Sequence, residues 1–306
     1  MSPLHPQAVA QVAARSAASS ISDLQHARKA LLDAIPFDVG APVPIASVTE
    51  IDLPGIHGRL YHPRPDETLP VFLYMHGGGW VMGGIDAVDG ICRRIAASAE
   101  CAVFSLGYRL APEFPYPAAV DDASSGLAWL HSNEARSCNV DPLRVAVGGD
   151  SAGGYLAIYA ALGAIELKRP IAQLILVYPA LDPTCGFASH ETMNGFMLDS
   201  DEMGFFWNSF LGADVDRSSG VVAPLNLQVA ALPPTLIVLA EYDVLHDEGV
   251  AFAGLLSSSN VPVVVATYNG MVHGFFRRLA LYDSASSAVN MVSGTLRESF
   301  AKGTRS

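Results

Sequence analysis

Six short apolar runs constrain this chain more than any other feature. They are LPVFLYMHG at 69–77, AVFSLGY at 102–108, RVAVGG at 144–149, IAQLILVYPA at 171–180, PTLIVLA at 234–240 and VPVVVATY at 261–268. Runs of this length, rich in Val, Ile and Leu, read as strands buried on both faces. Between them lie segments that read as helices, over 87–99, 117–131, from Ala152 to about Leu167, and over 284–301. A strand followed by a helix and another strand requires a crossover, which gives parallel pairing. The expected fold class is α/β: a mostly parallel central sheet flanked by helices. Segments 45–53 and 58–62 surround the turn Pro54-Gly55 and read as two further strands ahead of it.

The 306 residues are half hydrophobic and only 16% charged, enough apolar material for one large core. Thirty acidic against eighteen basic residues leave a net charge of −12. That balance disfavours nucleic acid or an anionic membrane as partner, because phosphate needs neutralising cations. No apolar run reaches the ~18 residues needed to cross a bilayer. The N-terminal stretch lacks a basic start followed by an apolar block, so no secretory signal is expected. Val9, Val12 and Ala13 instead recur at helical spacing. Cys92, Cys101, Cys138 and Cys185 show no CxxC pair and read as reduced thiols, which points to the cytoplasm.

Gly149-Asp150-Ser151-Ala152-Gly153 matches G-x-S-x-G, follows a Val/Ala strand and opens a helix. A sharp strand-to-helix turn presents the Ser151 hydroxyl as a nucleophile. Glycines at both ends let strand and helix approach closely, and the Ala152 N–H at the helix start can donate to a developing oxyanion. His76-Gly77-Gly78-Gly79-Trp80 follows the strand that ends at Met75. Backbone amides of consecutive glycines can converge on one oxygen, and Gly77 and Gly78 are the donors expected beside Ala152. His76 is expected to orient this loop by hydrogen bonds.

A serine hydroxyl needs a base, and the base needs a carboxylate to fix its tautomer. His190, His246 and His273 follow Ser151 in the chain. His273 lies in a loop after the last expected strand, at a carboxyl end, where open sheets place their chemistry. His246 reads as an exposed helix-start residue. Asp243 sits just past PTLIVLA and is the expected acid. Glu241 would point elsewhere, and Asp247 and Glu248 suit a helix N-terminus. No metal spacing such as H-E-x-x-H occurs, and no G-x-G-x-x-G follows the first strand, so no cofactor is expected.

Taken together, His76–Trp80, Gly149–Gly154, Asp243 and Gly270–Phe275 resemble the hormone-sensitive-lipase-like (family IV) carboxylesterases of the α/β-hydrolase fold. Tyr108-Arg109-Leu110-Ala111-Pro112-Glu113, with Pro115 to Ala119 and Asp122, resembles that family's signature loop and helix. The likeness covers roughly residues 60–280. It implies Ser151 as nucleophile, His273 as base, Asp243 as acid, and Gly77, Gly78 and Ala152 as oxyanion donors. It also implies a single unit over 1–306, with a helical cap from 1–44 and 184–222 and a core from 45–183 and 223–306. The segment 184–222 carries six aromatic residues and reads equally as a lid or a packed satellite. Arg109 and Glu113 are expected to pair with each other, and Tyr178 to pack in the core.

One departure is visible: Asp243-Val244-Leu245-His246-Asp247 stands where the family often has D-P-L-R-D. The expected function is a serine carboxylester hydrolase for short-to-medium acyl esters, acting on a small-molecule substrate. An amidase or other acyl hydrolase with the same triad is the alternative. A non-catalytic small-molecule receptor on the same scaffold is another, against which His273 argues. The resemblance leaves a homodimer through the last strand and helix open.

Overall fold

The computed structural model describes residues 1–15, 24–212 and 215–302. Parts of the two expected cap segments, 16–23 and 213–214, therefore lie outside the described residues. Two helices come first, α1 (Pro6–Arg15) and α2 (Leu24–Val39). The hairpin β1 (Ser47–Leu53) and β2 (Ile56–His62) follows, turning at Pro54-Gly55 as expected. Next come β3 (Leu69–Met75), α3 (Ile85–Ala99), β4 (Ala102–Gly107), α4 (Ala118–Leu130), a short α5 (Asn133–Ser137) and β5 (Val140–Asp150). Then α6 (Ala152–Glu166) and β6 (Gln173–Val177) lead into an insertion holding α7 (Ser189–Thr192) and α8 (Ser200–Leu211). The chain closes with β7 (Thr235–Tyr242), α9 (His246–Ser258), β8 (Val263–Val272) and α10 (Asp283–Lys302).

The eight strands form one sheet in the order β1-β2-β4-β3-β5-β6-β7-β8. β2 runs antiparallel to both neighbours, and all pairings from β4 to β8 are parallel. The sheet grows outward in two directions from β3, with β4 on one side and β5 on the other. At such a switch point, loops leaving adjacent strands open a crevice at their carboxyl ends. Met75 pairs with Gly149 here, so the glycine loop and Ser151 start side by side.

All seven β3 residues are buried, which is why the strand reads as an unbroken apolar run. Its alternate side chains still serve different layers. Val71, Leu73 and Met75 join a core with residues of α4, α6 and α9, while Phe72 and Tyr74 join one with α3 and α10. VPVVVATY differs from expectation. It forms the edge strand β8, where Val264 and Val265 are exposed. β8 also continues past Tyr268 to Val272. A register shift opposite Ala240 and Tyr242 re-pairs Tyr242 with Val272. His273 thus follows the strand directly instead of lying in a long loop.

The insertion packs onto the core. Trp207 and Phe210 of α8 are fully buried against Trp80, with ring centroids 4.3 and 4.4 Å away. Arg15 at the end of α1 bonds to Met197 O and Glu202, joining α1 to the insertion.

Candidate active site

The chain enters α6 through Ser151, whose backbone has φ 54° and ψ −118°. This is a strained region for a residue with a Cβ, and it persists only when neighbours impose it. The Ser151 N–H donates to Val177 O at 2.8 Å, tying the turn to β6. The flanking glycines are required by space. A Cβ on Gly149 would stand 2.3 Å from Met75 O, and one on Gly153 only 1.9 Å from the same oxygen. The sharp turn expected from G-x-S-x-G is therefore present, and Ser151 opens onto a cavity of about 500 Å³.

His273 lines the same cavity. Its Nδ1 stands 2.7 Å from Asp243 Oδ2, so Nδ1–H donates to the carboxylate and Nε2 is the nitrogen left to take a proton. Asp243 is 1% exposed, and its Oδ1 accepts the Leu245 N–H at 3.0 Å. His246 N–H bonds back to Asp243 O at 3.0 Å. These two bonds close the turn without the proline this sequence lacks at position 244.

The other acids have different tasks. Glu241 accepts the amides of Ser2 and Gly270, each at 2.7 Å. His246 bonds Asp247, away from the cavity. Glu248, expected at a helix N-terminus, is fully buried there and accepts the amides of Leu181 and Asp182. Burial pushes its carboxyl well above the ordinary range.

The glycine loop corrects one expectation. Gly77 N–H donates to Asp150 Oδ1 at 3.0 Å and is not available to an oxyanion. Gly78 and Gly79, not Gly77, line the cavity with Ser151. Among the described residues, no acceptor takes the N–H of Gly78, Gly79 or Ala152. The loop's first amide is spent on anchoring, and its second and third face the cavity without an internal acceptor.

A model of the α/β hydrolase fold family matches residues 72–277. The carboxylic ester hydrolase LipN of Mycobacterium tuberculosis is 34% identical over 282 residues, covering 88% of this chain and 74% of that protein. An ethyl acetate hydrolase of Pseudomonas putida is 35% identical over 78% of this chain and 77% of its own. The hyperthermophilic esterase of Pyrobaculum calidifontis superposes with a TM-score of 0.90 at 33% identity, over 97% of this chain and 98% of that one. The chain belongs to the hormone-sensitive-lipase-like (family IV) carboxylesterases of the α/β-hydrolase fold.

In this family IV chain, His76 is structural. It is 1% exposed, its Nδ1–H donates to Gly77 O at 3.0 Å, and its ring stacks on Tyr108 at 4.2 Å. Tyr108 Oη–H donates to His76 O at 2.8 Å. Burial takes the His76 pKa down to about 4, so the ring is neutral at ordinary pH. Tyr178 is fully buried with its ring 4.6 Å from that of His273, so it packs in the core and also braces the His273 ring.

Arg109 does not pair with Glu113. It grips Asp122 through Nε at 3.0 Å and Nη2 at 2.6 Å, and its own N–H reaches the same carboxylate at 2.8 Å. Glu113 instead takes two bonds from Arg28 of α2, at 2.7 and 2.8 Å, which hold its carboxyl down at about 2. Arg28 also donates to Val81 O and Ala111 O, so it latches α2 to the loops beside the site.

The cavity wall includes one of the six aromatics of 184–222 and one residue the sequence did not single out. Phe206 lies against the glycine loop, its ring 2.3 Å from where a Gly79 Cβ would stand. Arg277, four residues beyond His273, also lines the cavity, with Nε 3.2 Å from Asp150 Oδ2. That spacing on one turn was the available signal. Among the described residues, no cluster of His, Cys, Asp or Glu could hold a metal ion.

Proposed function

We propose that this carboxylesterase hydrolyses short-to-medium acyl esters through an acyl-enzyme on Ser151. Ser151 Oγ attacks the ester carbonyl while His273 Nε2 accepts its proton. The amides of Gly78, Gly79 and Ala152 receive the oxyanion, and His273 protonates the departing alcohol. Water then enters, gives its proton to His273, and releases the acid. Asp243 keeps Nδ1 protonated and steadies the imidazolium.

The observation that carries this reading is the strained Ser151 sharing one cavity with a histidine whose far nitrogen is bonded to a buried carboxylate. A cavity of about 500 Å³ suits a compact ester. The proposed cap is formed by α1, α2 and the insertion, which line that cavity from above. A homodimer through the exposed edge β8 and a cytoplasmic location, consistent with four free cysteines, complete the proposal. Among the described residues, no helix is long and apolar enough to cross a membrane.

The test is hydrolysis of p-nitrophenyl esters from acetate to palmitate by the wild type and Ser151→Ala. Turnover that peaks at short or middle chains and vanishes in the variant supports the reading. Undiminished activity in Ser151→Ala refutes it.

A further inference from the structure

Asp150 has no part in the reaction just described, yet it stands beside the nucleophile as a fully buried carboxylate. Its Oδ1 accepts two hydrogen bonds, from the Gly77 amide at 3.0 Å and from Tyr74 Oη–H at 2.8 Å. The groups facing it come from every neighbouring element. They are Tyr74 from β3, His76 from the glycine loop, Cys92 from α3, Tyr108 after β4, Tyr178 after β6 and Arg277 from the turn after His273.

Burial drives the three phenols and the Cys92 thiol upward, and takes His76 down to about 4. All five are neutral at neutral pH. Arg277 alone in this set carries a charge opposite to that of Asp150. A buried carboxylate is held in place only when a cation and hydrogen bonds replace the water it has lost.

The geometry points to Arg277 as a positioning residue: by neutralising Asp150 it fixes the carboxylate that clamps Gly77, and so aims the Gly78 and Gly79 amides at the oxyanion. Arg277 shares a turn with His273, with Gly274 at φ 78° between them and a 3-10 turn over Phe275–Arg277. One ion pair thereby links three separate chain segments: the nucleophile turn, the glycine loop and the histidine loop. The inference rests on Gly78 and Gly79 being the oxyanion donors. It goes beyond that reading by naming what holds them.

The experiment measures kcat and KM on neutral p-nitrophenyl butyrate between pH 6 and 10, for wild type, Arg277→Met, Arg277→Lys, Asp150→Asn and the double variant Asp150→Asn/Arg277→Met. Arg277→Met is expected to lose about 10- to 100-fold in kcat, with KM within about twofold, the scale of a misplaced oxyanion donor. Arg277→Lys should recover most of the loss.

If Arg277 acts through Asp150, the double variant is no slower than Asp150→Asn alone. That comparison stands even if Arg277→Met does not fold, because the double variant buries no unpaired charge. Wild-type kcat in Arg277→Met overturns the inference, as does a loss confined to KM, which marks a substrate contact. A further tenfold loss in the double variant also overturns it. Failure of the site reading itself is separate, and shows as activity surviving in Ser151→Ala.

Discussion

Asp243 divides its two oxygens between two partners: Oδ2 takes the His273 Nδ1–H at 2.7 Å, and Oδ1 takes the Leu245 amide at 3.0 Å. The carboxylate is thus immobilised by its own turn as it orients the His273 ring. Asp243→Asn keeps the shape but offers an amide N–H or a weaker acceptor to Nδ1, favouring the wrong tautomer. The expected result is a fall in kcat of about 10⁴-fold, as for loss of the orienting acid in other serine hydrolases. Thermal midpoint and KM should stay near wild type. Steady-state kinetics on p-nitrophenyl butyrate check it, and a loss under tenfold would place the acid elsewhere.

Phe206 forms part of the cavity wall and rests on Gly79. Phe206→Ala removes a ring that is 6% exposed and enlarges the space beside the glycine loop. Preferred acyl length should move upward, and kcat/KM on acetate should fall. The core loses packing as well, at a cost of about 3 kcal/mol. The ester series run on both proteins, with urea unfolding alongside, separates the two effects. An unchanged chain-length profile would show that the acyl chain lies along another wall.

Much of this was legible because local chemistry dictated it. The alternation of apolar strands with helices, the turn at Ser151 and the carboxyl-end positions of Asp243 and His273 follow from patterns a few residues long. Other features depend on which distant segments meet. Gly77 was expected to be a donor, but Asp150 takes its amide, 73 positions along the chain. Arg109 chose Asp122 over Glu113 because α4 presents that carboxylate, and Glu113 was left to Arg28, 85 positions away. Glu248 resembles any acid of a first helical turn, and only the return of residues 181–182 over α9 buries it. The exposure of β8 likewise reflects its place at the sheet edge, which an apolar run cannot declare.

Arg28 holds α2 to the scaffold by bonds to Val81 O, Ala111 O and Glu113. α2 presents no fully buried side chain among its described residues, so this polar latch carries an unusual share of its docking. Arg28→Ala should free the helix that lines one side of the cavity. KM is expected to rise several-fold, with kcat less affected, and amide exchange in 24–39 should speed up while β3 and β5 stay protected. Exchange unchanged in that helix would mean it is held by its apolar contacts instead.

His76 makes stability depend on pH in a predictable direction. Its folded pKa is depressed to about 4 from an ordinary 6.5, chiefly by burial. Above pH 6.5 the ring is neutral in both folded and unfolded chains and contributes no slope. Between 6.5 and about 4 the unfolded chain binds a proton that the folded chain refuses, so stability falls as pH falls. The span corresponds to about 3 kcal/mol at its acid end. Carboxylates also titrate there, so the measurement is a comparison: urea unfolding of wild type and His76→Gln at pH 7.5, 5.5 and 4.5. The glutamine variant is expected to be less stable at pH 7.5, through lost stacking on Tyr108, yet to lose less stability on acidification. Parallel slopes for the two proteins would show that the buried ring takes up its proton without resisting the fold.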